Sequence, residues 1–329
     1  MINLALFGAG RIGKIHANNV AQLASVNLKY IIDVNQASAE TLAARYQAQC
    51  VDTATALHDH SINAVIIASP TDTHADILIQ AALAQKAIFC EKPIDLNSER
   101  VDECLRIIQQ QDTLCVIGFN RRFDPQFAQL KQAINQGKVG QIQQIGITSR
   151  DPSPPPIEYI AHSGGLFRDM MIHDLDMARW LLDEEPCEVY ANASCIIDPA
   201  IGDQDDVDSA MVILKTPSGK LCQINNSRAT TYGYDQRIEV LGSQGMLQAN
   251  NNTATNLCFS GGSGIIHEKP LHFFLERYAD AYRLELAYFV HALQEKNINC
   301  TPNAYDGLQA LRLADAALLS LKKNAAVRL

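Results

Sequence analysis

A short glycine-rich segment near the amino end constrains the fold more than any other feature of this sequence. Gly8-Ala9-Gly10-Arg11-Ile12-Gly13 directly follows an apolar run at residues 2–7 and precedes a helical pattern. In this spacing Gly8 permits a tight turn, Gly10 lets a pyrophosphate approach the backbone, and Gly13 lets helix and strand pack closely. The helix N-terminus would supply N–H donors to the phosphates. The segment therefore predicts a dinucleotide-binding unit, the alternative being an ordinary glycine-rich turn.

A carboxylate follows the second apolar run. Asp33 lies twenty residues beyond Gly13, where it can accept hydrogen bonds from the ribose hydroxyls of a dinucleotide. Val34, Asn35 and Gln36 offer no basic side chain for the extra phosphate of NADP. We therefore expect NAD as the cofactor. The alternative for Asp33 is an exposed carboxylate at a strand end.

The first part of the chain alternates apolar runs with helical patterns. This rhythm is typical of βαβ units, so residues 1–122 are predicted to form an α/β Rossmann domain with a doubly wound parallel sheet. Ser98 is the expected N-cap of the second predicted helix. The predicted strands are 2–7, 28–32, 64–68, 87–90 and 114–118, and the predicted helices include 75–85 and 98–111.

The rhythm changes in the second part of the chain. Several strand-like runs follow one another without intervening helices, which predicts a C-terminal α+β domain, residues 123–329, on a mostly antiparallel sheet. One face of that sheet could cover a site or another subunit, and the last helices could pack back on the first domain. The predicted strands are 142–149, 189–197, 209–214, 221–225 and 237–241, and the predicted helices are 166–182, 275–293 and 305–321.

Composition argues against several classes of function. The chain has 27 basic and 36 acidic residues, a net charge of -9, and no Lys/Arg stripe that would bind nucleic acid. We find no basic leader and no apolar run near the roughly 20 residues that span a bilayer, so a soluble, cytoplasmic protein is expected. The nine cysteines are scattered without metal-ligand spacing, which predicts reduced thiols and no metal site.

Two charged groups in the second part of the chain suggest acid–base chemistry. Asp169 and His173 are four residues apart in a predicted helix, so their side chains share a face. A neutral imidazole can take the proton of an alcohol, and a carboxylate can stabilise the resulting imidazolium. Lys92 follows an apolar strand, where an ammonium could support alkoxide charge. By spacing alone, a surface ion pair and a solvated lysine are the alternatives, and a metal site would need further ligands.

Longer segments resemble a known family. Glu91-Lys92-Pro93, preceded by Ala68-Ser69-Pro70-Thr71 and His74, resembles the glucose-fructose oxidoreductase and inositol dehydrogenase family, as do residues 118–123. Residues 149–160, 164–174 and 273–278 resemble the inositol 2-dehydrogenases in particular. The chain departs from the family at Arg168 and Met171, where an apolar residue and a threonine are more usual, which leaves the preferred isomer open.

The resemblance implies an activity and roles for individual residues. The expected reaction is NAD-dependent oxidation of a ring hydroxyl of a cyclic polyol, with myo-inositol giving 2-keto-myo-inositol, in a homotetramer. Lys92, Asp169 and His173 fall on the catalytic Lys, Asp and His of the family, and Pro93 would be cis. The expected cofactor contacts are Gly8, Gly10, Arg11, Ile12, Gly13, Asp33, Ser69, Thr71, His74, Glu91, Lys92 and Asn120. The expected substrate contacts are Lys92, Asn120, Arg122, Asp151, Asp169, His173 and Tyr234.

Other functions remain open at this point. A dehydrogenase of another inositol isomer or of an aldose would use the same residues. A glycoside hydrolase of the same family would keep its NAD bound and show no net redox change. A non-catalytic NAD-binding regulator would have no need of Lys92, Asp169 and His173 together. His74 could cap the following helix instead of contacting a cofactor, and Tyr234 could serve packing alone.

Overall fold

The computed structural model describes residues 1–329 and comprises two compact units. Unit 1 contains residues 1–123 and 281–311, and unit 2 contains residues 124–280 and 312–329. The first boundary is one residue from the division expected at 122. The later segment 281–311 belongs to unit 1, whereas the sequence-based division placed it in the second domain and expected that the last helices could pack back on the first.

The chain forms twelve α-helices and fifteen strands. The helices are α1 Arg11–Ala21, α2 Gln36–Tyr46, α3 Thr53–His58, α4 His74–Leu83, α5 Ser98–Gln110, α6 Pro125–Asn135, α7 Ile157–Ser163, α8 Ile172–Leu182, α9 Pro199–Gly202, α10 Phe274–Arg277, α11 Ala279–Gln294 and α12 Ala304–Lys323. The strands are β1 Ile2–Phe7, β2 Val26–Ile32, β3 Gln49–Cys50, β4 Ala64–Ile67, β5 Ala87–Cys90, β6 Cys115–Ile117, β7 Ile142–Arg150, β8 Glu188–Ser194, β9 Ser209–Lys215, β10 Leu221–Ser227, β11 Asp235–Gly242, β12 Gly245–Ala249, β13 Cys258–Gly261, β14 Gly264–His267 and β15 Val327–Arg328. No helix has the length and apolar character needed to cross a membrane.

Unit 1 is built on a six-stranded sheet in the order β3-β2-β1-β4-β5-β6. All five neighbouring pairs are parallel, which confirms the predicted doubly wound sheet. The four residues of β4 are all fully buried, as expected for a parallel strand covered on both faces. Leu286, Phe289 and Val290 of α11 join the same buried cluster as β1 and β4. A late segment of the chain thus completes the core of this unit.

One expected helix cap is wrong. The N-cap of α5 is Asn97, whose backbone is extended (φ -107, ψ 115) and whose side chain accepts a hydrogen bond from the Glu99 N–H. Ser98 is already the first helical residue. Since the cap is the last residue outside the helix, the residue with the extended backbone fills the position.

Unit 2 is built on a seven-stranded sheet in the order β12-β11-β7-β10-β9-β8-β15. Only the central β7–β10 pair is parallel, which confirms the mostly antiparallel sheet. Residues alternate along β9: Ala210, Val212 and Leu214 are buried, whereas Met211 and Ile213 are 57% and 49% exposed. The sheet therefore has one covered face and one open face. Strands β13 and β14 form a separate exposed hairpin.

Candidate active site

The glycine-rich segment lies between β1 and α1. A Cβ on Gly13 would lie 2.0 Å from the carbonyl oxygen of Gly8, so helix and strand can approach this closely only with glycine. A Cβ on Gly10 would meet open space. Arg11 and Ile12 are the first two residues of α1, and no side chain caps this end of the helix. The segment therefore presents an open backbone surface at a positive helix end, which suits an anionic pyrophosphate.

Asp33 lies directly after β2. Its Oδ2 accepts the Ala9 N–H at 2.6 Å and its Oδ1 accepts the Asn35 N–H at 2.7 Å. These two bonds link the carboxylate to the glycine-rich segment and fix its orientation. The side chain of the next residue, Val34, is fully exposed. A ribose would thus meet an oriented carboxylate, and the residue that follows it has no basic side chain.

His74 joins two loops at the ends of β4 and β5. Its Nδ1 lies 2.8 Å from the Pro93 carbonyl oxygen, and its Nε2 lies 2.8 Å from the Ser69 carbonyl oxygen. The N-cap of α4 is Thr73, and His74 is the first helical residue. Thr71 lies in the 3-10 turn Thr71–Thr73. The hydroxyls of Ser69 and Thr73 form a hydrogen bond of 2.6 Å across this turn. The imidazole therefore holds together the loops that carry several expected cofactor contacts.

The Glu91-Lys92-Pro93 segment follows β5, and its Lys92–Pro93 peptide bond is cis. The Glu91 side chain is buried and turned inward, with Oε1 2.7 Å from His16 Nε2. Lys92 is half-buried. The segment thus directs one charged side chain into the interior and leaves the next one partly accessible.

Asn120 and Arg122 lie in a 3-10 turn after β6, and both are buried. The Asn120 Oδ1 has no hydrogen-bond partner within the protein, although a buried carbonyl oxygen normally has one. A ligand donor would satisfy it. Arg122 instead donates to Asp306 of α12 at 2.9 Å, an ion pair within unit 1.

Asp169 and His173, the residues expected to act as acid and base, lie where a π-helical turn, Leu166–Met170, leads into α8. The Met171 N–H donates to the Leu166 carbonyl at 2.8 Å, five residues back. The expectation of one regular helix over 166–182 is therefore wrong at its start. Asp169 lies in the π turn and accepts a 2.9 Å hydrogen bond from the Tyr159 hydroxyl. His173, the second residue of α8, is half-buried.

Two buried contacts anchor this helical region. Asp206 accepts the Leu166 N–H at 2.9 Å and also pairs with Arg228 at 2.9 Å. Asp174, next to His173 and fully buried, accepts a 2.9 Å hydrogen bond from Asn226 of β10. The start of the π turn and the start of α8 are thus each tied to another part of unit 2.

The remaining expected contacts and departures lie in unit 2. Asp151 follows β7, and its N–H donates to the Ser227 carbonyl at 2.9 Å. Tyr234 is buried, with its ring edge-on to Tyr278 at 5.9 Å between centroids. Arg168 is paired with Asp315 of α12 at 2.6 Å. Met171 is fully buried.

Sequence reasoning missed Tyr159, Asp206, Arg228 and His16. Tyr159 lies ten residues before its partner Asp169, and Asp206 lies forty residues after Leu166. No helix or strand periodicity relates such positions. Two signals in the sequence pointed to the region of Tyr159: the proline-rich segment 152–156 and the resemblance of residues 149–160 to inositol 2-dehydrogenases.

Comparisons with known proteins agree across both units. Residues 2–119 match the oxidoreductase family with an NAD-binding Rossmann fold, and residues 127–248 match the GFO/IDH/MocA C-terminal domain. The inositol 2-dehydrogenase of Rhizobium meliloti (strain 1021) is 49% identical over 98% of either chain. The chain belongs to the GFO/IDH/MocA oxidoreductase family. Its likeness to relatives of this family extends over the second unit as well as the first.

Solved structures of the GFO/IDH/MocA family have the same fold. A myo-inositol dehydrogenase from Corynebacterium glutamicum is 40% identical, with a TM-score of 0.96 over 100% of this chain and 99% of the other. The scyllo-inositol dehydrogenase from Lactobacillus casei, solved with bound NAD(H) and scyllo-inositol, is 29% identical, with a TM-score of 0.91 over 100% and 99%. The fold class expected from the sequence is confirmed.

Unit 1 is the NAD-binding domain of this oxidoreductase. Its residues fit the cofactor at three points: open space over Gly10, an oriented Asp33 carboxylate, and a buried Asn120 oxygen that awaits a donor. The space over Gly10 admits the phosphates of a dinucleotide, and the oxygens of Asp33 and Asn120 can accept hydrogen bonds from its polar groups.

Proposed function

We propose that this protein oxidises one ring hydroxyl of a cyclic polyol, with myo-inositol as the leading substrate and 2-keto-myo-inositol as the product. The observation that carries the proposal is that the likeness to inositol dehydrogenases runs over 98% of the chain. Unit 2, which holds Asp169 and His173, is thereby included. A likeness confined to the Rossmann unit would support the cofactor alone.

The proposed mechanism assigns one role to each of three side chains. His173 takes the hydroxyl proton as the carbon–hydrogen bond breaks. Asp169, held by Tyr159 at 2.9 Å, stabilises the imidazolium that results. Lys92 supports the negative charge that develops on the oxygen. NAD, when bound, accepts the hydride, so that alcohol and NAD give ketone, NADH and one proton.

Further side chains serve binding in this proposal. Gly8, Gly10, Arg11, Ile12 and Gly13 receive the pyrophosphate, and Asp33 receives the ribose. Asn120 supplies an acceptor to cofactor or substrate, and Asp151 a second polar contact to substrate. Arg122 and Tyr234 act indirectly, because the first is paired with Asp306 and the second packs on Tyr278.

We also infer a homo-oligomer, most simply a tetramer. The open face of the unit 2 sheet supports this inference, because Tyr190, Met211 and Ile213 expose apolar surface on neighbouring strands. Contiguous exposed apolar surface of this kind marks an interaction site. A cytoplasmic location is proposed on the nine free cysteines, which fit a reducing compartment.

The deciding experiment is an absorbance assay for NADH. Purified protein is mixed with NAD or NADP and with myo-, scyllo- or chiro-inositol, glucose or aryl glycosides, near pH 9, where proton release favours oxidation. Steady NADH formation with NAD and an inositol is expected, and it would rank the isomers. Glycoside cleavage without net NADH would instead indicate a hydrolase of the same family.

A further inference from the structure

A buried cluster of three titratable groups lies in unit 1 beneath the Glu91–Lys92 segment. It consists of His16, Glu91 and Glu285, and one side-chain N or O atom of each lies within 4.8 Å of the others. His16 and Glu285 are fully buried, and Glu91 is 8% exposed. Nothing in the proposed reaction uses His16 or Glu285. Such a group in the interior calls for a physical explanation.

The cluster joins three elements that build the cofactor domain. His16 lies in α1, one turn after the glycine-rich segment; Glu91 follows β5; and Glu285 lies in α11. The His16 ring also packs edge-on against Phe89 and Tyr282, at 5.0 and 6.0 Å between centroids. The position of the Glu91 carboxylate therefore depends on groups from both ends of the chain.

The two carboxylates have different surroundings. Glu91 Oε1 lies 2.7 Å from His16 Nε2. Glu285 has no hydrogen-bond partner within the protein on either side-chain oxygen. A buried carboxylate without hydrogen bonds is costly, whereas the protonated acid is tolerated far better. Burial, and after it the Glu91 carboxylate, raise the pKa of Glu285 well above its ordinary value.

The 2.7 Å distance between His16 and Glu91 is that of a charge-assisted hydrogen bond. Two ligands of one tetrahedral ion, each about 2.1 Å from it, would lie roughly 3.4 Å apart. The shorter His16–Glu91 distance therefore indicates a hydrogen bond between the two side chains and not two ligands of a metal ion. Two further titratable groups lie beside the cluster: the Cys90 thiol, whose pKa burial also raises, and the Tyr282 phenol. Neither supplies a positive charge to Glu285.

We propose that Glu285 is an uncharged carboxylic acid at neutral pH. An uncharged Glu285 leaves the His16–Glu91 hydrogen bond undisturbed and thereby positions Lys92, the residue next to Glu91. Ionisation of Glu285 at alkaline pH would place two negative charges within 4.8 Å in a medium of low dielectric constant. Glu91 would then leave His16 and move Lys92 with it. The part about Lys92 rests on the function proposed above, whereas the charge state of Glu285 does not.

The charge state is tested by infrared spectroscopy on wild type, Glu285→Gln and Glu295→Gln at pH 7. Ordinary carboxyl groups are ionised at this pH, so a buried acid stands out by its protonated C=O stretching band. We expect this band in wild type and in the control Glu295→Gln, which changes an exposed side chain just after the same helix. Its persistence in Glu285→Gln would overturn the proposal, as would a stoichiometric metal ion bound to the purified protein.

Stability gives a second test that needs no substrate. A raised folded-state pKa means that the folded protein holds this proton more tightly than the unfolded chain. The resulting stability is complete below the unfolded value, about pH 4.3, and is lost as pH rises through the folded pKa. Between that value and the folded pKa, the urea-unfolding constant of wild type, relative to that of Glu285→Gln, should therefore rise about tenfold per pH unit. A ratio independent of pH would contradict an uncharged Glu285.

The positioning role is tested by pH profiles of NADH affinity and of kcat. Glutamine matches the neutral acid in shape and cannot ionise, so Glu285→Gln should stay within about threefold of wild type at pH 7. On the alkaline side wild type should lose NADH affinity and kcat, while Glu285→Gln keeps both. Identical alkaline profiles would reduce Glu285 to a packing residue. If no polyol is oxidised at all, the proposed substrate fails, while the NADH profile still tests the cluster.

Discussion

At the scale of single residues, the candidate site contains one carboxylate, Asp33, that backbone N–H groups orient. The place of Asp33 directly after β2 could be predicted from its distance to Gly13, because strand, turn and helix lengths in a βαβ unit determine where the carboxylate lies. The sequence could not indicate that Asp33 also accepts the Ala9 and Asn35 N–H groups. Those bonds tie the carboxylate proposed to bind the ribose to the glycine-rich segment proposed to bind the phosphates, so both parts of the proposed cofactor site share one anchor.

Asp33→Asn tests this anchor. The amide keeps one acceptor and turns an N–H donor toward the other backbone N–H, so a charged hydrogen bond of about 1.5–3 kcal/mol is lost. We expect NADH to bind about 10- to 100-fold more weakly, with a smaller preference over NADPH, as measured by fluorescence titration. Asp198→Asn is the matched control, because Asp198 accepts the Ala200 N–H at 3.0 Å and belongs to unit 2. Equal losses of affinity in both variants would refute the role of Asp33.

His173→Ala tests the proposed base. Loss of general base catalysis should lower kcat about 10²- to 10⁴-fold, while the dissociation constant of NADH changes less than about threefold. Stopped-flow turnover and NADH titration separate the two effects. His162→Ala, an exposed histidine of α7, should leave both unchanged. Parallel loss of turnover and NADH binding in His173→Ala would mark a structural histidine.

At the scale of elements, the feature that matters is the π turn that carries Asp169. Gly164 and Gly165 precede it with φ values of 87° and 79°, a backbone conformation that favours glycine. The extra residue in the turn changes the direction of Asp169 relative to His173, so their spacing of four does not describe a regular helix. π turns are frequent at functional sites.

Gly165→Ala tests the turn. The added Cβ would lie 2.7 Å from Asp206 Oδ1 on a backbone that alanine rarely adopts, which should cost about 2 kcal/mol of stability or more. Asp206 would shift from Leu166, and we expect kcat to fall at least about tenfold. Gly262→Ala is the control, because a Cβ there meets nothing within 4 Å. Urea unfolding and the NADH assay measure both effects, and unchanged turnover in Gly165→Ala would show that the turn does not position Asp169.

Elements with strong local patterns could be predicted, and the others could not. Strands β1 and β5 have the predicted bounds, and α5 ends one residue earlier than expected, because buried parallel strands and amphipathic helices leave clear apolar patterns. Strand β3 has only two residues, too few for a pattern. Strands β13 and β14 are exposed on both faces, so no alternation distinguishes them. The π turn depends on Asp206, which lies far along the chain.

At the scale of the whole molecule, the open sheet face of unit 2 decides assembly in our proposal. Ile213→Glu places a charge on that face, on β9 between β8 and β10. Burying this charge in an interface would be costly, so we expect the tetramer to dissociate into smaller species. Light scattering after size exclusion measures the mass. Leu83→Glu changes another exposed apolar residue, in α4 of unit 1, and should leave the mass unchanged. If the mass of Ile213→Glu equals that of wild type, the interface lies elsewhere.

The order in which the chain supplies its two units bears on how it folds during synthesis. Unit 1 needs residues 281–311, and Phe289 from that segment packs edge-on against Phe89 at 5.8 Å between centroids. A ribosome that has completed the glycine-rich segment and β5 must still make residues 124–280 before this ring arrives. The nascent Rossmann unit therefore spends that interval with part of its core uncovered, exposed to chaperones and to aggregation. A fragment that stopped at residue 122 would remain in that condition permanently.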